Sequence, residues 1–139
     1  MKTLSYILGF MLLSLTTYAQ EKDGINITIT IDNVLNDNGK VLLSLHSSDT
    51  FMKGKGIKSL ESTIIDGKIN VTFKNVAQGE YAILVLHDEN ENNQMDFESN
   101  GMPKESYGMS GNIMTMGPPT FADAKFHVTN ENITLNIRL

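Results

Sequence analysis

The chain has 139 residues, a formal net charge of −5 and no cysteine. Its length suits one domain. Its acidic balance argues against nucleic acid and anionic lipid surfaces, which demand basic patches, and the lack of thiols excludes disulfides and thiol chemistry.

The segment 1–19 reads as an export signal: a basic Lys2, an apolar stretch from Tyr6 to Leu15, and small residues at Thr17 and Ala19, with cleavage expected after Ala19. The apolar stretch is shorter than the roughly 20 residues that span a bilayer. No other segment is apolar enough to cross a membrane. Cleavage removes Lys2 and takes the net charge from −5 to −6. The remainder, 20–139, is expected to be a single domain, exported to the periplasm or the extracellular space.

Period-two alternation dominates that remainder. In "INITITIDNV", Ile25, Ile27, Ile29 and Ile31 alternate with Asn26, Thr28 and Thr30, as a half-buried strand requires. A turn at Asp37–Gly39 precedes "KVLLSLH", with Val41, Leu43 and Leu45 on one face. Residues 47–60 are rich in Ser, Lys and Gly and read as a loop that Phe51 plugs into the core. "ESTIIDGKINVTFKNV" reads as a hairpin: a strand to Ile65, a turn at Asp66–Gly67, and a strand with Ile69, Val71 and Phe73 inward. "YAILVLH" is the most apolar strand and is expected at the centre of a sheet. A long irregular region runs from Asp88 to about Thr120, a length that is uncommon without a function. Two strands, "AKFHVT" and "NITLNIRL", close the chain, and no amphipathic helix is evident. The reading is all-β: one antiparallel β-sandwich, immunoglobulin-like in the broad sense, of six to seven strands with one long irregular loop.

The candidate chemistry lies where "YAILVLH" ends. Asp88–Glu98 holds five acids and no base. Hard cations such as calcium take six to eight oxygen ligands, and carboxylates and amides fall here on alternate positions. Asp88, Asn90 and Asn92 follow the opening of the EF-hand loop, Gln94 offers its backbone carbonyl, and Asp96 and Glu98 follow. Two positions depart from the template. Asn93 stands where a glycine makes the sharp turn, and Ser99 stands where a bidentate Glu closes the site. Asn tolerates left-handed geometry, so the turn survives. Closure must come from Asp96, Glu98 or a residue farther along. The expected cofactor is calcium, in a structural role; the competing reading is a solvated acidic turn.

Other chemistries are weaker. His46, His87 and His127 lie at or near strand ends, and five methionines sit in or beside the long loop, a ligand set that would suit copper. Methionine also fills irregular gaps in cores. There is no G-x-S-x-G elbow, P-loop or dinucleotide fingerprint, so no catalytic residue is assigned and no enzyme is expected. Phe121 and Phe126, after Pro118-Pro119, are expected to anchor the returning chain, and Tyr107 to do the same from within the loop. The alternative is that Tyr107 and Phe121 line a binding surface.

Three stretches together, "FKNVAQGEYAILVLHDENENNQMD", "GMPKESYGMSGN" and "GPPTFADAKFHV", resemble the exported bacterial proteins of domain-of-unknown-function family 2141. The pattern falls on Gly79 and Tyr81; on His87, Asp88, Asn90, Asn92 and Asp96; on Gly101, Pro103, Glu105, Tyr107 and Gly108; and on Pro119, Phe121 and Ala124, with Asn93 replacing a glycine. The likeness runs over roughly Ile25 to Leu139. The G-x-Y unit is similar to that of transthyretin-like (prealbumin-like) and carboxypeptidase-regulatory-like sandwich domains, and the D-x-N-x-N-x-x-x-D loop to calcium loops of adhesin-type B repeats. The resemblance implies an exported sandwich and no particular activity.

The expectation is a monomeric, exported, non-enzymatic sandwich that meets a protein or envelope component and holds calcium in its 88–98 loop. The alternative is a small-ligand or enzymatic site between the long loop and the strand ends, using His87, Glu105 and Tyr107.

Overall fold

The computed structural model describes residues 24–139; the segment 1–19, expected from the sequence to be an export signal, lies outside the described residues. Alternation does what the sequence predicts in β1 (Ile25–Ile31) and β2 (Lys40–His46). Ile27, Ile29 and Ile31, and Val41, Leu43 and Leu45, all lose essentially all solvent contact. β3 (Lys58–Ser62), β4 (Ile69–Val76) and β5 (Gly79–Asp88) follow. Then come the short β6 (Tyr107–Met109), a single-turn helix α1 (Phe121–Ala124), β7 (Phe126–Val128) and β8 (Ile133–Asn136).

The strands form two layers, as expected of an all-β sandwich. One sheet runs β4-β1-β8. The other runs β3-β2-β5-β6, with β7 also pairing on β5. β5 is central: it pairs with β2 along seven registered positions on one edge. Its other edge meets β7 at Gly79–Tyr81 and β6 at Leu84–Leu86. Between the layers lie Ile27, Ile29, Ile31, Leu43, Leu45, Phe73, Ile83, Val85 and Ile137. Burying each such side chain stabilises the fold by about 1.5–3 kcal/mol before conformational entropy is counted.

Four details differ from the sequence reading. The sandwich has eight strands among the described residues, and one pairing is parallel, with β8 running alongside β1 from Ile27↔Ile133 to Thr30↔Asn136. The expected hairpin keeps its turn but not its ladder. Asp66 and Gly67 have φ of 53° and 71°, the double left-handed geometry of a type I′ turn, yet only Ile65 and Lys68 bridge across it. β3 pairs with β2 and β4 with β1, because each finds a longer partner there. The chain thus changes sheets at the turn. Ile64 goes into the core and Ile65 is left exposed, while the Asp37 carboxylate accepts from the Asp66 and Gly67 N–H groups at 3.0 and 2.7 Å.

The third difference lies in β4. Ile27 faces Phe73 while Ile25 faces Val76, so β4 carries one extra residue. Asn75 takes it up at φ 57°, and this bulge turns both Phe73 and Val76 inward. The fourth lies in the long region, which contains β6 and α1. α1 is too short to show helical periodicity; the Thr120 hydroxyl caps it by accepting from the Asp123 N–H at 3.3 Å. Phe121 and Phe126 anchor the chain as expected, Phe126 against the main core and Phe121 in a second cluster with Phe51, Ala82, Met109 and Ala124. Phe51 is buried, but in this outer cluster rather than between the layers.

Ser110 locks that cluster to β5. Its N–H donates to the Ile83 carbonyl at 3.0 Å. Its hydroxyl accepts from the Ile83 N–H at 2.9 Å and donates to the Ala124 carbonyl. Ser110→Ala leaves two buried backbone groups without these partners, at about 1–3 kcal/mol each. Urea denaturation of this variant is expected to show a loss of about 2–4 kcal/mol in unfolding free energy.

Candidate functional site

The acidic loop begins where β5 leaves the sheet. Asp88 is the last residue of β5 and its side chain is completely buried. Its two carboxylate oxygens accept from the N–H groups of Asn92 (3.1 Å) and Asn93 (2.8 Å). The chain therefore coils back around its own first acid, a turn Asp favours because its side chain imitates a backbone acceptor. Asn93 has φ of 62° and Glu91 59°, so the left-handed step expected at Asn93 is present without glycine. Across the ladder, Lys40 pairs in register with Asp88. The Lys40 ammonium donates to Glu61 at 2.9 Å. That bond raises its pKa above the usual lysine range, partial desolvation opposes the rise, and the charges of Glu61, Asp88 and Glu91 add to it. Gly39 (φ 65°) lies so close to the Asp88 and Glu89 backbone that a side chain there would collide with it.

Asn90, Asn92 and Asp96 converge. The Asn90 amide donates to Asp96 Oδ2 at 2.6 Å, and the Asn92 amide donates to both Asp96 oxygens at 3.0 Å. The amide oxygens bind the loop backbone, Asn90 Oδ1 accepting from the Asn92 N–H and Asn92 Oδ1 from the Gln94 N–H. Four of the six residues expected as ligands thus form one connected network. The Gln94 and Glu98 side chains are exposed and stand outside it. Among the described residues no three His, Asp or Glu side chains are grouped to hold a metal ion; at this loop the remaining oxygens are those of amides.

The ends of the loop are tied by a distant residue, Glu105, which the sequence reading placed in the alternative ligand site. It is nearly buried. Oε1 accepts from the Glu89 N–H at 3.1 Å and Oε2 from the Asp96 N–H at 3.2 Å, so one carboxylate ties the two ends of the loop together. Lys104 N–H donates to the Asp96 carbonyl at 2.8 Å and sets Glu105 in place. Spacing alone hid this role, because the template looks for its closing acid within the loop.

The three histidines do not gather. His127 is exposed beside Glu80. His46 is buried on the outer side of the five-stranded sheet, its Nε2 2.8 Å from Ser44 Oγ and its Nδ1 3.1 Å from the Thr50 carbonyl. His87 is buried on the opposite face of β5 from Leu86. Its Nε2 lies 2.8 Å from the Asn38 carbonyl and so carries the proton that is donated. Its Nδ1 has no hydrogen-bond partner among the described residues, with Glu89 Oε1 4.0 Å away. Of the alternative trio, Tyr107 alone lines the large groove described next.

That groove, of about 1000 Å³, lies on the outer face of the five-stranded sheet. Leu42, Leu84 and Leu86 form its floor; the loop carrying Met52 and Lys55 walls one side, and Met95 and Phe97 of the acidic loop, with Pro103 beyond it, are also in its lining. The continuous apolar run of β5 was the signal for it: a strand apolar at every position is covered, or awaits cover, on both faces.

A family model described as an uncharacterized protein conserved in bacteria (DUF2141) matches residues 29–136. The chain belongs to that family. No curated protein and no solved structure matches it. The match to DUF2141 spans both sheets, the acidic loop and Glu105. No helix among the described residues is long and apolar enough to cross a membrane.

Two tests follow from the geometry. Glu105→Ala is expected to lower stability by about 2 kcal/mol, as loss of hydrogen bonds to a charged acceptor implies, and to speed hydrogen exchange at the Glu89 and Asp96 amides. The second concerns His46, whose pKa is lowered from 6.5 chiefly by burial, against a bond to Thr50 that raises it. A depressed folded pKa means the unfolded chain takes up a proton first. The stability held by neutral His46 is full above about pH 6.5 and is lost as pH falls from there through the lower folded value. Thermal melts at pH 7.5 and 5.5 are expected to show a smaller difference for His46→Gln than for the parent.

Proposed function

We propose that this chain is an exported, non-enzymatic β-sandwich domain that takes one calcium ion in its 88–98 loop and acts by binding at the cell envelope or outside the cell. The observation that carries the ion reading is the convergence of Asn90 and Asn92 on Asp96, beside an Asp88 already fixed by two backbone donors. The residues fit the ion. To present an oxygen to the ion, each amide would turn and release its bond from the Asn92 or Gln94 N–H, and a carboxylate oxygen that accepts one N–H keeps a second lone pair. Asp88, Asn90, Asn92 and Asp96 would then hold calcium, with Gln94 contributing its carbonyl and Glu98 a further carboxylate. The ion would supply charge neutralisation where five acids crowd into one loop, and Glu105 would keep the loop ends together whether or not it is bound.

The signal-like segment 1–19 supports export. The Leu-floored groove favours one element of the alternative reading, a small-ligand site that includes Tyr107.

Calorimetric titration with calcium is expected to show one site, and millimolar calcium to raise the melting temperature; saturation to a hundred times Kd adds about 2.7 kcal/mol. Asp96→Ala is expected to abolish both responses while keeping the fold. If calcium leaves the parent's heat signal and melting temperature unchanged, the ion reading fails. Parallel titrations with zinc and copper test the selectivity expected of an oxygen site.

A further inference from the structure

We infer that the groove on the outer face of the five-stranded sheet binds a single-chain amphipathic anion, a hydrocarbon ending in a carboxylate, with the chain across Leu42, Leu84 and Leu86 and the head at Lys55. This goes beyond the calcium reading and does not depend on the ion.

The floor is the first observation. The outer face of a two-layer sandwich ordinarily carries polar residues, since only the inner face meets the other sheet. Here the register sets Leu42 opposite Leu86, and Leu86 opposite Tyr107, an apolar row across three adjacent strands. Leu84 extends it along β5. Farther along the same face the fold supplies its own cover: Phe51, Phe121 and Ala124 close over Ala82. The cover stops there, and Leu42, Leu84 and Leu86 remain only partly buried.

Shape decides what can fill the remainder. The floor is sunk between two loops, and the volume of about 1000 Å³ is at the upper end of the roughly 300–1000 Å³ typical of small-molecule sites. A flat sheet from a second copy would rest on the loop rims, whereas a flexible chain reaches the floor. The rim side chains suit a chain of variable shape. Met52 and Phe97 are more than half exposed, and Met95 adds a third adaptable group.

Charge decides the head. In a chain of net charge −5, the groove's wall at 53–58 carries three lysines and no acid. Lys58 donates to the Lys74 and Asn75 carbonyls. Lys55 lines the groove, and the lysine ion pairs among the described residues are those of Lys40 and Lys125. The one acid in the lining, Glu61, is matched by Lys40 at 2.9 Å. The opposite wall meets the groove with the uncharged Asn93 and Gln94. The uncompensated charge at the groove is therefore positive, and an anionic head complements it.

The test is calorimetric titration of the mature protein, in calcium-free buffer and below micelle formation, with dodecanoate, dodecyltrimethylammonium and dodecyl maltoside. Working without calcium separates this result from the ion reading. Dodecanoate is expected to saturate at one per chain and to bind about tenfold or more tighter than the cation. Lys55→Glu, at an exposed position, is expected to weaken dodecanoate about tenfold by turning attraction into repulsion. Phe97→Ser is expected to weaken all three probes, with unchanged melting temperatures reporting an intact fold. No saturable binding of any probe overturns the site. Equal affinity for the three heads, or indifference to Lys55→Glu, overturns the anion. A parent that sediments as a dimer and becomes monomeric on Phe97→Ser assigns the face to a second copy and also overturns the proposal.

Discussion

β5 is apolar on both of its faces, and the rest of the structure is arranged around that constraint. Ile83 and Val85 point into the space between the sheets, while Ala82, Leu84 and Leu86 point away from it. A strand of this kind cannot sit at an edge or face water on one side. The inner face is satisfied by β1 and β4 of the other sheet. The outer face recruits whatever the chain can bring: Phe51 from the loop after β2, and α1 with Met109 from the long region. Ser110, by pairing with the Ile83 backbone and reaching the Ala124 carbonyl, fastens this outer cover. The uncovered remainder of the same face is the groove.

The acidic loop obeys a related rule at the end of the same strand. Asp88 is drawn under as β5 ends, and a buried carboxylate needs donors. The loop answers by turning back to offer two N–H groups, at the cost of left-handed backbone at Glu91 and Asn93. Glu105 meets the same need from the other side with the amides of Glu89 and Asp96. Two carboxylates, those of Asp88 and Glu105, serve as acceptors for loop backbone that has left the sheet and lost its ladder partners. That function is complete without an ion, and it leaves Asn90, Asn92 and Asp96 positioned so that an ion has oxygens to meet.

Much of this was legible in the sequence wherever one residue's neighbours decide its fate. The Ile25–Ile31 and Lys40–His46 alternations placed two strands and their inward faces, and the apolar run of "YAILVLH" placed the centre of the sheet. The D-x-N-x-N spacing picked out residues that do converge, and Asn93 was recognised as a tolerable stand-in for glycine. What escaped were pairings decided by competition between distant segments. The Asp66–Gly67 turn was correct, yet its flanking strands part because β2 and β1 give each a longer ladder. β6 carries a glycine in a three-residue strand, and its reason lies elsewhere: Gly108 packs against the Arg138 carbonyl, where a side chain would collide. Glu105, nine residues beyond Asp96, closes a loop that local spacing could not show it belonged to.

The parallel pairing of β1 with β8 carries a further consequence for how the protein is made. Thr30 and Asn136 are joined by a side-chain bond across 106 residues, and the three-stranded sheet has β1 at its centre. Its hydrogen bonding on that side stays open until β8 arrives. Such long-range closure makes folding slow compared with folds built from neighbouring segments. An incomplete chain would hold β1 with one edge bare, still unable to seal its core. A keystone strand placed at the far end of the domain thus keeps β1 half-paired until the last segment is in place.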